Sequence, residues 1–283
     1  MSKYGTATEA KIDEVATACD RYGESSIIAL AGVPGTGKSF IAVAAAQRFA
    51  GLKGVAGEPL LVQEVQFHQS FSYEEFIEGM RLDGGGGFHV EPGIFLDWNQ
   101  RATNDSAHRY VLLIEELTRA NLPAVLGEVL TYVEYRDRPF HTIYGRRPVR
   151  IAKNLTILAT YNPTDRSALE LDAALMRRLR IINCPPDTGQ LREMMAAMPA
   201  PVVDALCGLF DACKKEHPDE YEHLMPFGHG IFAGVTQEQP DLYDLWHERI
   251  VHMLRRPLAP SHSFLGTIEE HYPWRKDKGF KVT

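Results

Sequence analysis

A chain of 283 residues, 45% hydrophobic and 24% charged, can build a real core, as one large domain or as a core with a smaller appendage. Its formal net charge of −7 argues against coating nucleic acid through overall charge, although a local basic surface stays open. The N-terminus lacks the apolar stretch of a signal peptide and no run elsewhere is long enough to span a bilayer, so cytoplasmic residence without a membrane partner is expected.

In chain order, Ala7–Tyr22 reads as an amphipathic helix with Ile12, Val15, Ala16 and Cys19 on one stripe. Ser26–Ala31 is a short apolar run before glycine, the pattern of a buried parallel strand. The alanine-rich Ser39–Phe49 is helical, Leu60–Phe67 is a second strand, and Ser72–Arg81 reads as a short helix. Gly84–Gly87, four glycines in a row, can lie in neither a helix nor a strand interior and mark a mobile loop. Tyr110–Ile114 is a third strand, Pro123–Glu134 a helix, and Arg136–Val149 alternates around a turn like a hairpin. Leu155–Thr160 is a fourth strand and Arg180–Asn183 a fifth. Strands alternating with helices imply a parallel sheet covered on both faces, an α/β fold of αβα layering.

After Pro185-Pro186 the pattern becomes helical, over Leu191–Met198, Val202–His217 and Tyr243–Arg255, with an irregular tail expected from Pro257 to Thr283. The expected division is therefore an αβα domain over 1–187 and a smaller helical lid domain with a tail over 188–283. Cys19, Cys184, Cys207 and Cys213 form no CxxC pair, and Cys213 with His217 offers too few ligands for structural zinc, so reduced thiols are expected. His68, His89, His229, His262 and His271 show no ligand spacing, and Trp98, Trp246 and Trp274 read as packing residues.

The chemistry is concentrated in Gly32-Val33-Pro34-Gly35-Thr36-Gly37-Lys38-Ser39, a full G-x-x-x-x-G-K-[ST] loop between a buried strand and a helix, with Phe40 closing the binding stretch. Glycines let backbone N–H groups wrap a phosphate, and the helix start adds its partial positive charge. In that motif Lys38 reaches the β- and γ-phosphates and the Ser39 hydroxyl binds Mg²⁺. Two acids, Glu115 and Glu116, follow the apolar strand that ends at Ile114, at the strand end where ligands sit in parallel sheets. Glu115 is the expected metal ligand, mainly through water, and Glu116 the group that orients or deprotonates attacking water. An exposed acidic helix start is the plainer alternative for this pair. Asn162 stands at the tip of another strand and can hydrogen-bond a γ-phosphate or water, although Asn-Pro is otherwise a turn. Arg177 and Arg178 end a short helix at Leu171–Arg178; they either complement its C-terminus or reach a neighbouring subunit's phosphate, worth roughly 10³–10⁵ in rate.

These residues together resemble the AAA+ family of ring NTPases, and within it the McrB-type restriction branch. Phe67-His68-Gln69-Ser70-Phe71-Ser72-Tyr73-Glu74-Glu75-Phe76-Ile77-Glu78-Gly79 is similar to that branch's FHQSYSYEDFIEG, and Glu115–Asn121 to its DEINRAN. Asn162–Ser167 resembles NTADRS, and Phe227–Phe232 resembles IGHSYF. The four stretches occur in the family's order from Gly32 onward. The resemblance implies a P-loop NTPase core with a helical lid and a homo-oligomeric, hexameric ring holding nucleotide between subunits. It implies Asn162 as the sensor asparagine, Arg177 and Arg178 as residues acting across the interface, Arg166 as a further polar candidate, and Asp83–Phe88 either as a pore-facing segment or as a plain connector. Glu115 replaces the family's aspartate and Thr118 its asparagine.

About one helix precedes the phosphate loop, so a stand-alone motor module is expected, with DNA recognition or a nuclease supplied by a separate effector subunit and DNA met only through that partner or the pore. ATP with Mg²⁺ is the expected substrate, with GTP as the alternative. Three functions remain in competition: a defence-type motor, a MoxR or dynein-related chaperone that remodels a protein without DNA, and a slow nucleotide-switched scaffold. The acidic net charge leans to the last two and the branch motifs to the first.

Overall fold

The computed structural model describes residues 4–165, 173–236, 241–254 and 263–276. The chain opens with α1 (Thr6–Tyr22), whose Ile12, Val15, Ala16 and Cys19 are buried as the apolar spacing requires. β1 (Ile27–Ala31) is buried along its whole length, and the glycine-rich loop after it feeds α2 (Lys38–Phe49). β2 (Val62–Gln66) follows, and then α3 (Tyr73–Phe76), which is shorter than the helix expected over Ser72–Arg81. Ser72 and Glu75 form a reciprocal capping box at its start.

The second half of that expected helix is a strand. β3 (Glu78–Leu82) pairs antiparallel with β4 (Phe88–Pro92), and the four glycines lie in the turn between them. The turn is closed by Asp83, whose carboxylate accepts N–H bonds from Gly85 at 2.9 Å and Gly87 at 2.8 Å. Gly79 explains the helix stop, since a Cβ there would lie 2.8 Å from the Glu74 Cβ. Gly84–Gly87 thus lies outside both strands, as expected, and forms a hydrogen-bonded hairpin tip.

α4 (Ile94–Asn104) buries Phe95 and Trp98, and the Trp98 indole donates to the Val111 carbonyl at 3.0 Å. β5 (Tyr110–Glu115) comes next. The helix expected over Pro123–Glu134 is two, α5 (Leu122–Leu126) and α6 (Glu128–Tyr132). They break at Gly127, which has φ 47° and lies where a Cβ would be 2.7 Å from the Tyr73 ring. β6 (Phe140–His141) and β7 (Pro148–Val149) make the expected hairpin within Arg136–Val149. β8 (Leu155–Tyr161), α7 (Ala173–Met176) and β9 (Leu179–Asn183) complete this part.

β2, β5, β8, β1 and β9 lie in that order in one five-stranded sheet, and every pairing in it is parallel. Alternate residues serve its two faces. Ile28, Leu30, Val111, Leu113 and Leu158 pack against α1 and α2, whereas Ile27, Ala29, Leu112, Ile114 and Ile157 pack toward α4, α5 and α6. The sheet is therefore sandwiched in an αβα arrangement. Because β1 sits between β8 and β9, the loops leaving β1, β5 and β8 gather at one rim, the rim where parallel sheets bind ligands.

After β9 the chain is helical. α8 (Thr188–Met194) is N-capped by the Asp187 side chain, which accepts from Gln190 N–H at 2.7 Å. α9 (Ala200–Glu216), α10 (Tyr221–Leu224) and a 3₁₀ turn at His229–Phe232 lead to α11 (Leu242–Leu245), which runs through a π turn at Trp246–Ile250 into α12 (Val251–Leu254). The tail expected to be irregular contains α13 (Leu265–His271) and a 3₁₀ turn at Pro273–Arg275. Tyr272 accounts for that order, stacking on Trp246 and donating its hydroxyl to the Leu242 carbonyl at 2.7 Å. Leu206, Phe210, Phe227, Phe232, Trp246 and Phe264 share an apolar cluster of their own, which Val33 of the glycine-rich loop joins. Trp98, Trp246 and Trp274 are all buried, and no described helix is long and apolar enough to cross a membrane.

One buried ion ties the sheet's far end together. The Arg136 guanidinium donates to the carbonyls of Ala152 at 2.9 Å, Leu155 at 2.5 Å and Gly23 at 2.7 Å. Burial lowers its pKa to about 10, still far above neutrality, so the group is charged where it lies. Replacing it (Arg136→Met) removes these three hydrogen bonds at about 1 kcal/mol each or more, and a loss of at least about 3 kcal/mol is expected in urea unfolding. An unchanged midpoint and slope would contradict that role.

Candidate nucleotide site

The loop between β1 and α2 takes its shape from glycine. Gly35 and Gly37 have φ of 80° and 77°, a left-handed region that side chains disfavour. At Gly32 a Cβ would lie 2.4 Å from the Cys184 carbonyl on β9's exit, so the loop is pressed against the neighbouring strand. Inside it the Thr36 hydroxyl and the Lys38 ammonium both donate to the Val33 carbonyl, at 3.1 and 3.0 Å. Burial lowers the pKa of Lys38, opposed by the nearby Cys184, Glu116, Glu115 and Asp165. A cation gathered under acids, beside a helix start whose first N–H groups have no intrahelical partner, is an arrangement that holds an anion.

The acids meet the loop at the carboxyl end of β5. The Ser39 hydroxyl donates to Glu115 Oε2 at 2.9 Å, and the Thr160 hydroxyl makes a short bond to the same oxygen. Ser39 and Glu115 are hard oxygen donors on one rim, a set that suits Mg²⁺, which takes one or two protein oxygens and fills its remaining positions with water and phosphate. The backbone of Glu116 is left-handed, with φ 57°, and its carboxylate pairs with Arg119 at 3.1 Å. Ser39, Phe40, Glu64, Gln66, Glu115 and Glu116 line a cavity of about 560 Å³, and Tyr4 meets the exposed Phe40 ring edge-on at 5.2 Å.

Asn162 is buried just beyond β8. Its side-chain oxygen accepts from Thr164 N–H at 3.0 Å and from the Thr164 hydroxyl at 2.8 Å, and its amide donates to Asp165 at 3.2 Å. The asparagine thus fixes its own turn at the sheet rim. Arg178 is 8% exposed and donates to the Ala174 carbonyl at 2.8 Å, closing the C-terminus of α7. It also pairs with Glu134 at 3.1 Å. Arg177 shares that carboxylate at the same distance, yet its side chain is 57% exposed. Of the two, Arg177 is the one free to reach outward. Arg166 and His262 lie outside the described residues.

Sequence reasoning did not anticipate how the C-terminal helical part grips this loop. Gly228 N–H donates to the Pro34 carbonyl at 2.7 Å and Gly230 N–H to the Gly35 carbonyl at 2.6 Å. Gly228 must be glycine, since a Cβ there would lie 2.4 Å from the Gly35 oxygen. Between them His229 is buried, and its Nδ1 accepts from Asp187 N–H at 3.2 Å, which puts the neutral ring's proton on Nε2. Backbone contacts of this kind leave no mark in composition or periodicity. Thr160 was equally silent, as an unremarkable residue in an apolar strand.

A family model described as an AAA domain of the dynein-related subfamily matches residues 27–179, more than half of the chain. The chain is 33% identical over 251 residues to the type IV methyl-directed restriction enzyme EcoKMcrB subunit of Escherichia coli (strain K12). That alignment takes in 84% of this chain and 54% of the relative, so the chain spans about half the relative's length. Two solved structures are more distantly similar. An ATPase candidate from Cytophaga hutchinsonii ATCC 33406 is 14% identical, with a TM-score of 0.41 and coverage of 93% of this chain and 83% of that one. NtrX from Brucella abortus is 12% identical, with a TM-score of 0.42 and coverage of 98% and 56%. Both are too distant to bear on function.

Burial lowers the His229 pKa below its ordinary 6.5, with Asp187 opposing. A base whose folded pKa is depressed contributes stability that is full above the unfolded value and is lost as pH falls through the folded one. The melting temperature should therefore fall as pH drops below 6.5, and His229→Asn, which keeps an acceptor for Asp187 but does not titrate, should remove part of that acid dependence. An equal acid slope in both proteins would exclude His229 as the responsible group.

Proposed function

Because the chain belongs to the dynein-related subfamily of AAA domains, we propose that it is a Mg²⁺-dependent nucleoside-triphosphatase. We further infer that it works as a homo-oligomeric, hexameric ring in the cytoplasm, driving a separate effector or nuclease subunit in restriction or antiviral defence. The observation that carries the reading is the meeting, on one sheet rim, of the glycine loop, the Ser39–Glu115 pair, Glu116 and Asn162. ATP is the proposed substrate and GTP the alternative, and DNA is met only through the partner or the pore. The 33% identity to a restriction-enzyme subunit supports the defence assignment. A chaperone acting on a protein without DNA is the second reading, favoured by the net charge of −7.

The residues divide the work as follows. Backbone N–H groups from Gly32 to Phe40 enclose the phosphates, and Lys38 leaves the Val33 carbonyl to meet them. Ser39 and Glu115 would hold Mg²⁺, which when bound supplies charge neutralisation between the β- and γ-phosphoryl oxygens. Glu116, released from Arg119, orients and deprotonates the attacking water. Asn162 offers its amide to the γ-phosphate or that water. Arg177 reaches the neighbouring subunit's phosphate, while Arg178 holds the helix end from which Arg177 projects.

Two experiments test these roles. Lys38→Ala should abolish nucleotide binding, whereas Glu116→Gln should retain binding and lose turnover by at least ~100-fold. Retained hydrolysis in Glu116→Gln would remove Glu116 as the base. In the second, Arg177→Ala and Lys38→Ala subunits, each inactive alone, should recover activity when mixed, because an intact Arg177 then faces an intact loop. No recovery at any ratio would show that Arg177 does not act between subunits.

A further inference from the structure

The Thr160 hydroxyl stands where both acids meet the sheet. It lies near the end of β8, and the residue is 2% exposed. The Glu116 N–H points at its oxygen, 3.3 Å away, and a backbone N–H can only donate. Thr160 is therefore the acceptor in that bond. Its single hydrogen is left for Glu115 Oε2, with which it makes a short contact. One side chain thus holds the carboxylate of one acid and the peptide of the next.

Each of those grips matters at the site. Glu115 Oε2 takes hydrogens from two hydroxyls, Ser39 on the loop side and Thr160 on the sheet side. Ser39 commits its hydrogen to Glu115 and so keeps its lone pairs for a cation, while Thr160 fixes Glu115 independently of the loop. At Glu116 the backbone is left-handed, and the bond to Thr160 fastens this peptide. Asn162 follows two residues later, just past the end of β8, so its turn continues the same stretch of backbone.

We propose that Thr160 is a positioning residue for the proposed hydrolysis, setting Glu115 for the metal and Glu116 for water. The inference rests on the nucleoside-triphosphatase reading above and adds to it a residue that neither the phosphate loop nor the acidic pair contains. Thr160 touches no reacting atom and works through the acids alone.

The test compares wild type with Thr160→Val, which keeps the shape and removes the hydroxyl, and with Thr160→Ser, which restores it. Fluorescent ATP and GTP analogues are titrated first in EDTA and then over a range of Mg²⁺, with steady-state turnover and nucleotide-free melting alongside. In Thr160→Val, nucleotide affinity in EDTA should stay within ~2-fold of wild type. The Mg²⁺ concentration at half-effect should rise ~10-fold, the loss expected for one hydrogen bond to a charged group. kcat should fall at least ~10-fold with little change in KM, because Glu116 is misplaced for a step after binding. Thr160→Ser should recover both. A valine variant with the wild-type Mg²⁺ midpoint and turnover overturns the proposal. So does one whose losses are already complete in EDTA and in melting, or that serine does not rescue, since each marks a packing role. If wild type itself shows no Mg²⁺-dependent nucleotide binding, the nucleoside-triphosphatase reading falls, and this one with it.

Discussion

Everything at the sheet rim depends on the two-sided use of one short stretch of backbone. Gly35 and Gly37 adopt left-handed φ, a conformation that lets successive N–H groups converge inside the loop while the carbonyls of Pro34 and Gly35 serve the outside. Pro34 and Gly35 use those carbonyls to accept from Gly228 and Gly230 of the helical part. The same peptides that would surround an anion are therefore bonded, on their other face, to the helical part. Val33 strengthens the tie by entering that part's apolar cluster.

The acidic side of the rim is organised by hydroxyls. Ser39 and Thr160 converge on one Glu115 oxygen from opposite sides, and Thr160 also receives the Glu116 N–H. Three elements, α2, β5 and β8, are joined in this way at the place where charge must be handled. Hydrogen-bonded networks of this sort confer geometry more than stability, since the groups were hydrogen-bonded to water before folding. The paired arginines show the same division: Arg178 is committed to α7 and Glu134, which leaves Arg177 exposed beside it.

The parts legible in the sequence were those with a strong local pattern. Buried strands such as Tyr110–Ile114 announce themselves as apolar runs, and the phosphate loop by its glycines, so the αβα core could be read directly. The errors arose where a long-range contact decided the outcome. Glu78–Leu82 could be helix or strand locally, and became a strand because Gly79 crowds Glu74 and the glycine turn returns the chain alongside it. The C-terminal tail looked irregular because its order comes from Tyr272 stacking on Trp246, far away in sequence. At the site, residue types revealed Ser39, Glu115 and Glu116, while Thr160 and Gly228 act through contacts that no spacing rule encodes.

The two hairpins carry a further consequence of buried charge. Glu78, 3% exposed at the root of the β3–β4 hairpin, accepts from the N–H groups of Tyr144 at 2.9 Å and Gly145 at 2.7 Å in the β6–β7 turn. Tyr144 adds a bond from its hydroxyl to Glu74 at 2.7 Å. Parting the hairpins would cost a buried carboxylate two backbone donors at once. The glycine-tipped hairpin is therefore anchored at its root by the turn at Tyr144-Gly145, so the two form one unit of the fold.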